Sequence, residues 1–170
     1  YLSPTISEYR ERIQVNGKAI SKAALCEGVE EIQGAVEAMV SDGFAHPTPF
    51  EVETALAFWY YLKKECDIVV LETGMGGLQD ATNLITTTQV AVLASISMDH
   101  MKFLGNSLRE IAAQKAGIIK EGCEVVSMAQ TAEAMEVVER AAKDKHCTLY
   151  IADASLAKNI RYGVEKQRFN

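Results

Sequence analysis

The sequence predicts an α/β fold with a mostly parallel sheet flanked by helices and a β-hairpin near the N-terminus. Three observations predict it. From Phe50 to Ile151, apolar runs of strand length alternate with segments of helical periodicity. Two of these runs, Ile68-Val69-Val70-Leu71 and Val90 to Ile96, lead directly into Glu72 and Ser97-Met98-Asp99-His100. Polar groups just past strand ends mark the ligand-binding rim of open α/β sheets. Near the N-terminus, Asn16-Gly17 separates two short alternating runs, a strong hairpin signal.

The elements follow in order. Ser3-Pro4 opens an extended or turn segment, and Arg12 to Val15 pairs with Lys18 to Ile20. Ser21 caps a helix whose inward stripe is Leu25, Val29, Ile32, Val36, Met39 and Val40, ended by Asp42-Gly43. His46-Pro47-Thr48-Pro49-Phe50 is a stiff loop. The next helix spans about Glu51 to Lys64, with Val52, Ala55, Leu56, Trp59 and Leu62 on one face. A strand over Asp67 to Leu71 enters the glycine-rich stretch Glu72 to Asn83. The run Val90 to Ile96 is apolar on both faces, as in a central parallel strand. A helix from about Ser107 to Lys120 turns Leu108, Ile111, Ala112, Ala116 and Ile119 inward. Glu124 to Ser127 is a strand, Ala132 to Lys143 a helix and Thr148 to Ile151 a last strand, with a polar tail after Asp153 that starts a further element.

Composition narrows the function classes. The chain has 170 residues, 48% apolar and 24% charged, enough for a sizeable core. A net charge of −6 argues against a broad nucleic-acid footprint. No apolar run reaches the roughly 18 residues of a membrane span, and no signal-peptide pattern opens the chain. Tyr1-Leu2-Ser3-Pro4 reads as the middle of something, so a piece of a longer protein is expected. Cys26, Cys66, Cys123 and Cys147 form no CxxC, and with His46, His100 and His146 they complete no zinc spacing. Free thiols in a reducing cytosol are the simplest reading.

Two features carry candidate chemistry. Glu72 and His100 each follow an apolar strand, and on parallel neighbours they would emerge on one rim and could hold Mg²⁺ or Mn²⁺. The plainer alternative is a Glu capping a loop amide and an exposed His. Lys115 lies on the apolar face of its helix, where it either snorkels to water or is paired, neutralised or modified. Asp80, Thr82 and Asn83 read as turn residues capping local amides. Asp99 and His100 are discounted as a dyad, because neighbours on an extended chain face opposite ways. The glycine loop suggests a methyltransferase nucleotide loop but is not G-x-G-x-x-G, and G-x-x-x-x-G-K-[ST] occurs nowhere.

Taken together, these residues resemble the folylpolyglutamate synthase/dihydrofolate synthase family of Mur-type ATP-dependent amide ligases. The resemblance rests on Ser3-Pro4 with Glu11-Arg12-Ile13 and Asn16-Gly17; Thr48-Pro49-Phe50-Glu51; Leu71 to Asn83; Ser95 to His100 with Leu104-Gly105; and Lys115-Ala116-Gly117-Ile118-Ile119-Lys120. It implies a P-loop-NTPase-like Mur ligase central domain over residues 1–170, with the P-loop upstream of Tyr1 and a glutamate-binding domain after Asn170. It implies an enzyme that joins L-glutamate to a folate or dihydropteroate carboxylate through an acyl phosphate, using ATP and Mg²⁺. A cytoplasmic, monomeric parent is implied, with small-molecule substrates and no nucleic acid or membrane. By position, Ser3, Glu72 and His100 fall on the family's magnesium residues and Lys115 on its carbamylated lysine. Thr48, Phe50, Asp80 and Ala81 fall on residues of the pterin pocket. Thr5 and Leu78-Gln79 depart from the common His and Arg-Leu. Another Mur-type ligase, or a non-catalytic α/β module as the isolated chain, are the alternatives.

Overall fold

The computed structural model describes residues 1–153, 155, 157–164 and 166–168. The chain divides into two compact units, Tyr1–Met75 with Asp80–Leu84, and Gly76–Gln79 with Ile85–Asn170.

The first unit is a hairpin with two helices. Strands β1 (Gln14–Val15) and β2 (Lys18–Ala19) are antiparallel, and Asn16 and Gly17 take φ of 50° and 75° at the turn. That two-residue left-handed turn matches strand twist, which is why Asn-Gly is favoured. A 3₁₀ turn, Tyr9–Arg12, precedes the hairpin. Helix α1 (Lys22–Ser41) begins at Ser21, whose hydroxyl accepts the Ala24 N–H. Helix α2 (Pro49–Lys63) begins at Thr48 in a reciprocal cap with Glu51. Ile13, Ile20, Leu56, Ala57, Tyr60 and Tyr61 form the core, with Ala24, Leu25, Ile32 and Leu71 against it.

Gly28 sets the approach of α1 to α2. A Cβ there would lie 2.3 Å from Leu56 Cδ1 and 2.7 Å from Trp59 Cζ3. The inward stripes differ from expectation in two ways. On α1, Val29, Met39 and Val40 are exposed. α1 has 20 residues and buries only Gly28, so most of it stands at the surface of its unit. On α2, Leu62 is 80% exposed, whereas Thr54, Leu56, Ala57, Tyr60 and Tyr61 are buried. The two tyrosine rings bring more area to bury than one leucine, and the helix rotates to their face.

The expected strand Asp67–Leu71 is not one. The segment is extended, but among the described residues its backbone pairs only with Tyr1, which donates to Val70 O at 2.8 Å and accepts from Glu72 N at 3.0 Å. Ile68 and Val70 are 85% and 79% exposed. A run of β-formers makes a strand only where a neighbour supplies a ladder, and one residue does not.

The second unit holds a parallel sheet in the order β3-β4-β5: Val90–Leu93, Glu124–Met128 and Thr148–Ala152. Between β3 and β4 lie α3 (Met101–Leu104) and α4 (Leu108–Ala116), and between β4 and β5 lies α5 (Ala132–Asp144). Ile111, Ala112, Ala116 and Ile119 are buried as expected, with Val125, Ala134, Val138 and Ala142. β3 is an edge strand, not a central one: Ala91 and Leu93 are buried, while Val90 and Val92 are exposed. Helices of its own unit cover one face of it. β6 (Arg161–Tyr162) and β7 (Gln167–Arg168) form a hairpin in the tail.

The loop Gly76–Gln79 is pressed onto the end of α4. Leu78 N donates to Gln114 O at 2.7 Å, taking one of the carbonyls a helix end leaves over. A Cβ on Gly77 would sit 2.7 Å from Gln114 O and 2.9 Å from Lys115 O. Reciprocally, a Cβ on Gly117 would sit 2.5 Å from Leu78 Cα.

Three glycine substitutions test this packing. Gly28→Ala is expected to lower unfolding free energy by about 1–3 kcal/mol, because overpacking outweighs the gain in helix propensity. Gly34→Ala, on the same helix with open space around its Cβ, is expected to raise it by roughly 0.5–1 kcal/mol. Urea melts of both variants check the opposite signs. Gly77→Ala meets backbone rather than flexible side chain, and its expected cost is about 2 kcal/mol or more; a wild-type urea midpoint would refute the packing account.

Candidate functional site

Six of the expected site residues lie in the first unit, where Ser3 and Glu72 are joined directly. The Ser3 N–H donates to Glu72 Oε2 at 2.8 Å, one step from the Tyr1 pairing at Leu71. This bond holds an otherwise exposed carboxylate in place and engages one oxygen. The other can take a further donor or a cation. The residue supplying the amide also carries a hydroxyl. Hydroxyl and carboxylate oxygens are the donors a hard cation takes, so this pair fits Mg²⁺ by chemistry.

Thr48 and Asp80 are already committed to the backbone. The Thr48 hydroxyl donates to Glu51 Oε2 at 2.7 Å and accepts the Glu51 N–H at 3.3 Å. The bonds from Thr48 hold the Glu51 carboxyl below its usual range. Asp80 Oδ2 accepts Met75 N at 2.8 Å, and Oδ1 accepts Thr82 N and Thr82 Oγ1 at 2.9 and 2.6 Å. Asp80 therefore ties the two ends of the Gly76–Gln79 excursion, and the turn-residue reading of Asp80 and Thr82 holds. Ala81 starts a 3₁₀ turn, Ala81–Leu84. Phe50 packs against Tyr1, ring centroids 6.0 Å apart, and lies over Gly74, where a Cβ would be 2.5 Å from its ring.

His100 and Lys115 belong to the second unit. His100 is left-handed, φ 48°, and its carbonyl accepts the N–H groups of Phe103 and Leu104, which starts α3. This overturns the premise on which the Asp99–His100 pair was discounted, because the chain is not extended there. The imidazole Nε2 lies 3.6 Å from Asp99 Oδ2, with both side chains largely exposed. That is an ion-pair separation in solvent rather than a hydrogen bond. Met98, Asp99, Met101, Lys102 and Phe103 line a shallow cleft of about 400 Å³ with His100. Lys115 is half-buried between Ile111, Ala112 and Ala116. Among the described residues its ammonium forms no ion pair. No three His, Cys, Asp or Glu side chains among the described residues converge as a metal cluster.

Gln130 is a residue that sequence reasoning missed. Its side-chain oxygen accepts Ile96 N at 2.9 Å, and its amide donates to Ala94 O at 2.8 Å and Ser127 Oγ at 3.2 Å. One side chain thus replaces a ladder partner for the exit of β3, four residues before His100. A lone Gln after a strand carries no periodic or spacing signal. Gly77 packs on α4, and the contact with Gln114 has no sequence signature beyond the small residues themselves.

Comparison with known proteins bears on the family and the fold. A dihydrofolate synthase/folylpolyglutamate synthase of Bacillus subtilis is 41% identical over 144 residues, 84% of this chain and 33% of its own length. A folylpolyglutamate synthase of Lacticaseibacillus casei is 40% identical over 139 residues, 81% of this chain and 32% of its own. A solved FPGS–AMPPCP–folate complex superposes with a TM-score of 0.91 at 34% identity, covering 99% of this chain and 42% of that one. The chain thus spans about a third of the length of the curated relatives it matches. The model of the Mur ligase middle domain matches residues 16–169, and the chain belongs to that family.

Proposed function

We propose that this chain is the central domain of an ATP-dependent acid–amino-acid ligase, which joins L-glutamate to a folate or dihydropteroate carboxylate. The observation that carries the reading is the likeness over 99% of the chain to an FPGS complex holding AMPPCP and folate. In this reading ATP phosphorylates the carboxylate, the glutamate amine attacks the acyl phosphate, and phosphate leaves. The parent is a monomer working in the cytoplasm. Its phosphate cradle and glutamate-binding domain come from segments other than residues 1–170.

Within that scheme, Ser3 and Glu72 supply oxygen ligands and His100 an imidazole toward Mg²⁺. When bound, the ion neutralises charge on the transferring phosphoryl group. Support for Ser3 and Glu72 comes from their mutual bond, which fixes the carboxylate before any ligand arrives. Lys115 is carbamylated: its neutral amine adds CO₂ and loses a proton, converting a cation into an anion. Its half-buried position without an ion pair is compatible with such a change. Thr48 and Ala81 present the edges of a pterin pocket floored by Phe50, and Asp80 shapes that pocket through the backbone.

The chain lacks G-x-x-x-x-G-K-[ST], which favours a second reading for the isolated 170 residues: a folded module without turnover. Calorimetry of the chain with Mg·ATP is expected to give little heat, and micromolar binding would overturn this reading. In the complete ligase, Glu72→Gln is expected to raise the Mg²⁺ concentration for half-maximal rate by about 10–100-fold, with dihydropteroate and with tetrahydrofolate. Unchanged Mg²⁺ dependence would remove Glu72 from the site. Incubation with ¹³C-bicarbonate is expected to give a carbamate carbon signal in the ligase that is lost in Lys115→Arg; a signal that survives would remove Lys115.

A further inference from the structure

β4 and β5 run side by side with Glu124 opposite Thr148. Cys123 and Cys147 hold the preceding positions and share a face of the sheet. Their Sγ atoms are 3.8 Å apart, in contact. Adjacent strands lie about 4.8 Å apart, within the range of Cα separations that a disulfide spans. Each cysteine follows a left-handed residue, Gly122 at φ 68° and His146 at φ 53°. The two turns are tied together by Gly122 N donating to Lys145 O at 2.9 Å. Cys123 is buried and Cys147 is partly exposed, its thiol directed at Lys120 O and Lys145 O at 3.1 and 3.3 Å.

We infer that Cys123 and Cys147 form a redox modification site whose reactant is a small-molecule disulfide of the glutathione type, with Cys147 as the entry thiol and Cys123 as the resolving one. Cys147 loses its proton to water and attacks one sulfur of the oxidised reagent, whose S–S bond breaks and releases one thiolate. A mixed disulfide is left on Cys147. Cys123 then loses its proton and attacks the Cys147 sulfur, releasing the second thiolate. Two protein thiols are oxidised by two electrons, and one reagent disulfide is reduced to two thiols. The new bond staples the starts of β4 and β5 and closes a loop around α5. Burial, then contact with Cys123, push the Cys147 thiol above its ordinary range. Little thiolate is present at neutral pH, so closure needs sustained exposure to oxidant.

The test uses the folded chain. It is incubated with millimolar oxidised glutathione, its free thiols are alkylated, and it is digested without reductant for peptide mapping. The expected result is a Cys123–Cys147 cross-linked peptide, with Cys26 and Cys66 outside it. The melting temperature is expected to rise by about 5 °C, reversed by dithiothreitol. Cys123→Ser is expected to accumulate the glutathione adduct on Cys147, and Cys123→Ala serves if the serine does not fold. A persistent Cys147 adduct in the unmutated chain, or modification of Cys26 alone, would overturn the inference.

Discussion

The Leu78 N–H to Gln114 O bond is a contact of backbone on backbone, and it fixes the glycine-rich loop on the end of α4. At this crossing a Cβ on either side would clash. Gly77 on the loop and Gly117 after α4 leave the room from opposite sides. The bond falls on a carbonyl in the last turn of α4, which also accepts the Gly117 N–H at 3.3 Å. Lys115 sits in that last turn, and its carbonyl is one of the atoms against Gly77. Displacing the loop would therefore move the backbone that carries the lysine. Glycine-rich loops after strands are usually read as ligand cradles. Here the demand for glycine is met by packing, and ligand contact need not be invoked for it.

Helices were legible from their apolar spacing, and their starts are chemical. Ser21, Thr48, Ser107 and Thr131 each cap the helix that follows through a side-chain oxygen. The hairpin was legible because Asn-Gly fits its left-handed turn. The strand over 67–71 was misread because composition reports the taste of a side chain for a sheet and says nothing of a partner. The same limit applies to β3, whose apolar outward residues look like those of a strand buried on both faces. Leu62 was misplaced for a different reason: helical periodicity leaves a choice of face where tyrosines and leucines compete.

Site residues divide along a similar line. Glu72 was chosen as the acid past an apolar run and Ser3 by motif position, and their hydrogen bond is a long-range fact, 69 residues apart in sequence. No local pattern encodes it. Asp80 was offered both as a turn residue and, by resemblance, as a pocket residue. Its two oxygens accept three bonds, so the turn accounts for most of its hydrogen-bonding capacity. Its influence on a ligand then has to pass through the shape of the backbone it holds. Thr48 is alike: the hydroxyl that would touch a substrate is spent on Glu51 in both directions.

Gln130 shows how the chain leaving β3 is held without a ladder. Beyond Leu93 the sheet no longer supplies partners to the chain leaving β3, yet Ile96 is buried and its N–H needs an acceptor. A primary amide offers a donor and an acceptor in one plane, which is what a neighbouring strand would present. Glutamate in its place would keep the acceptor for Ile96 and lose the donors to Ala94 O and Ser127 Oγ, leaving carboxylate facing carbonyl. Leucine would lose all three bonds. The position thus selects Gln by hydrogen-bond parity rather than by charge or size, and the stretch that leads to His100 inherits its starting direction from that one side chain.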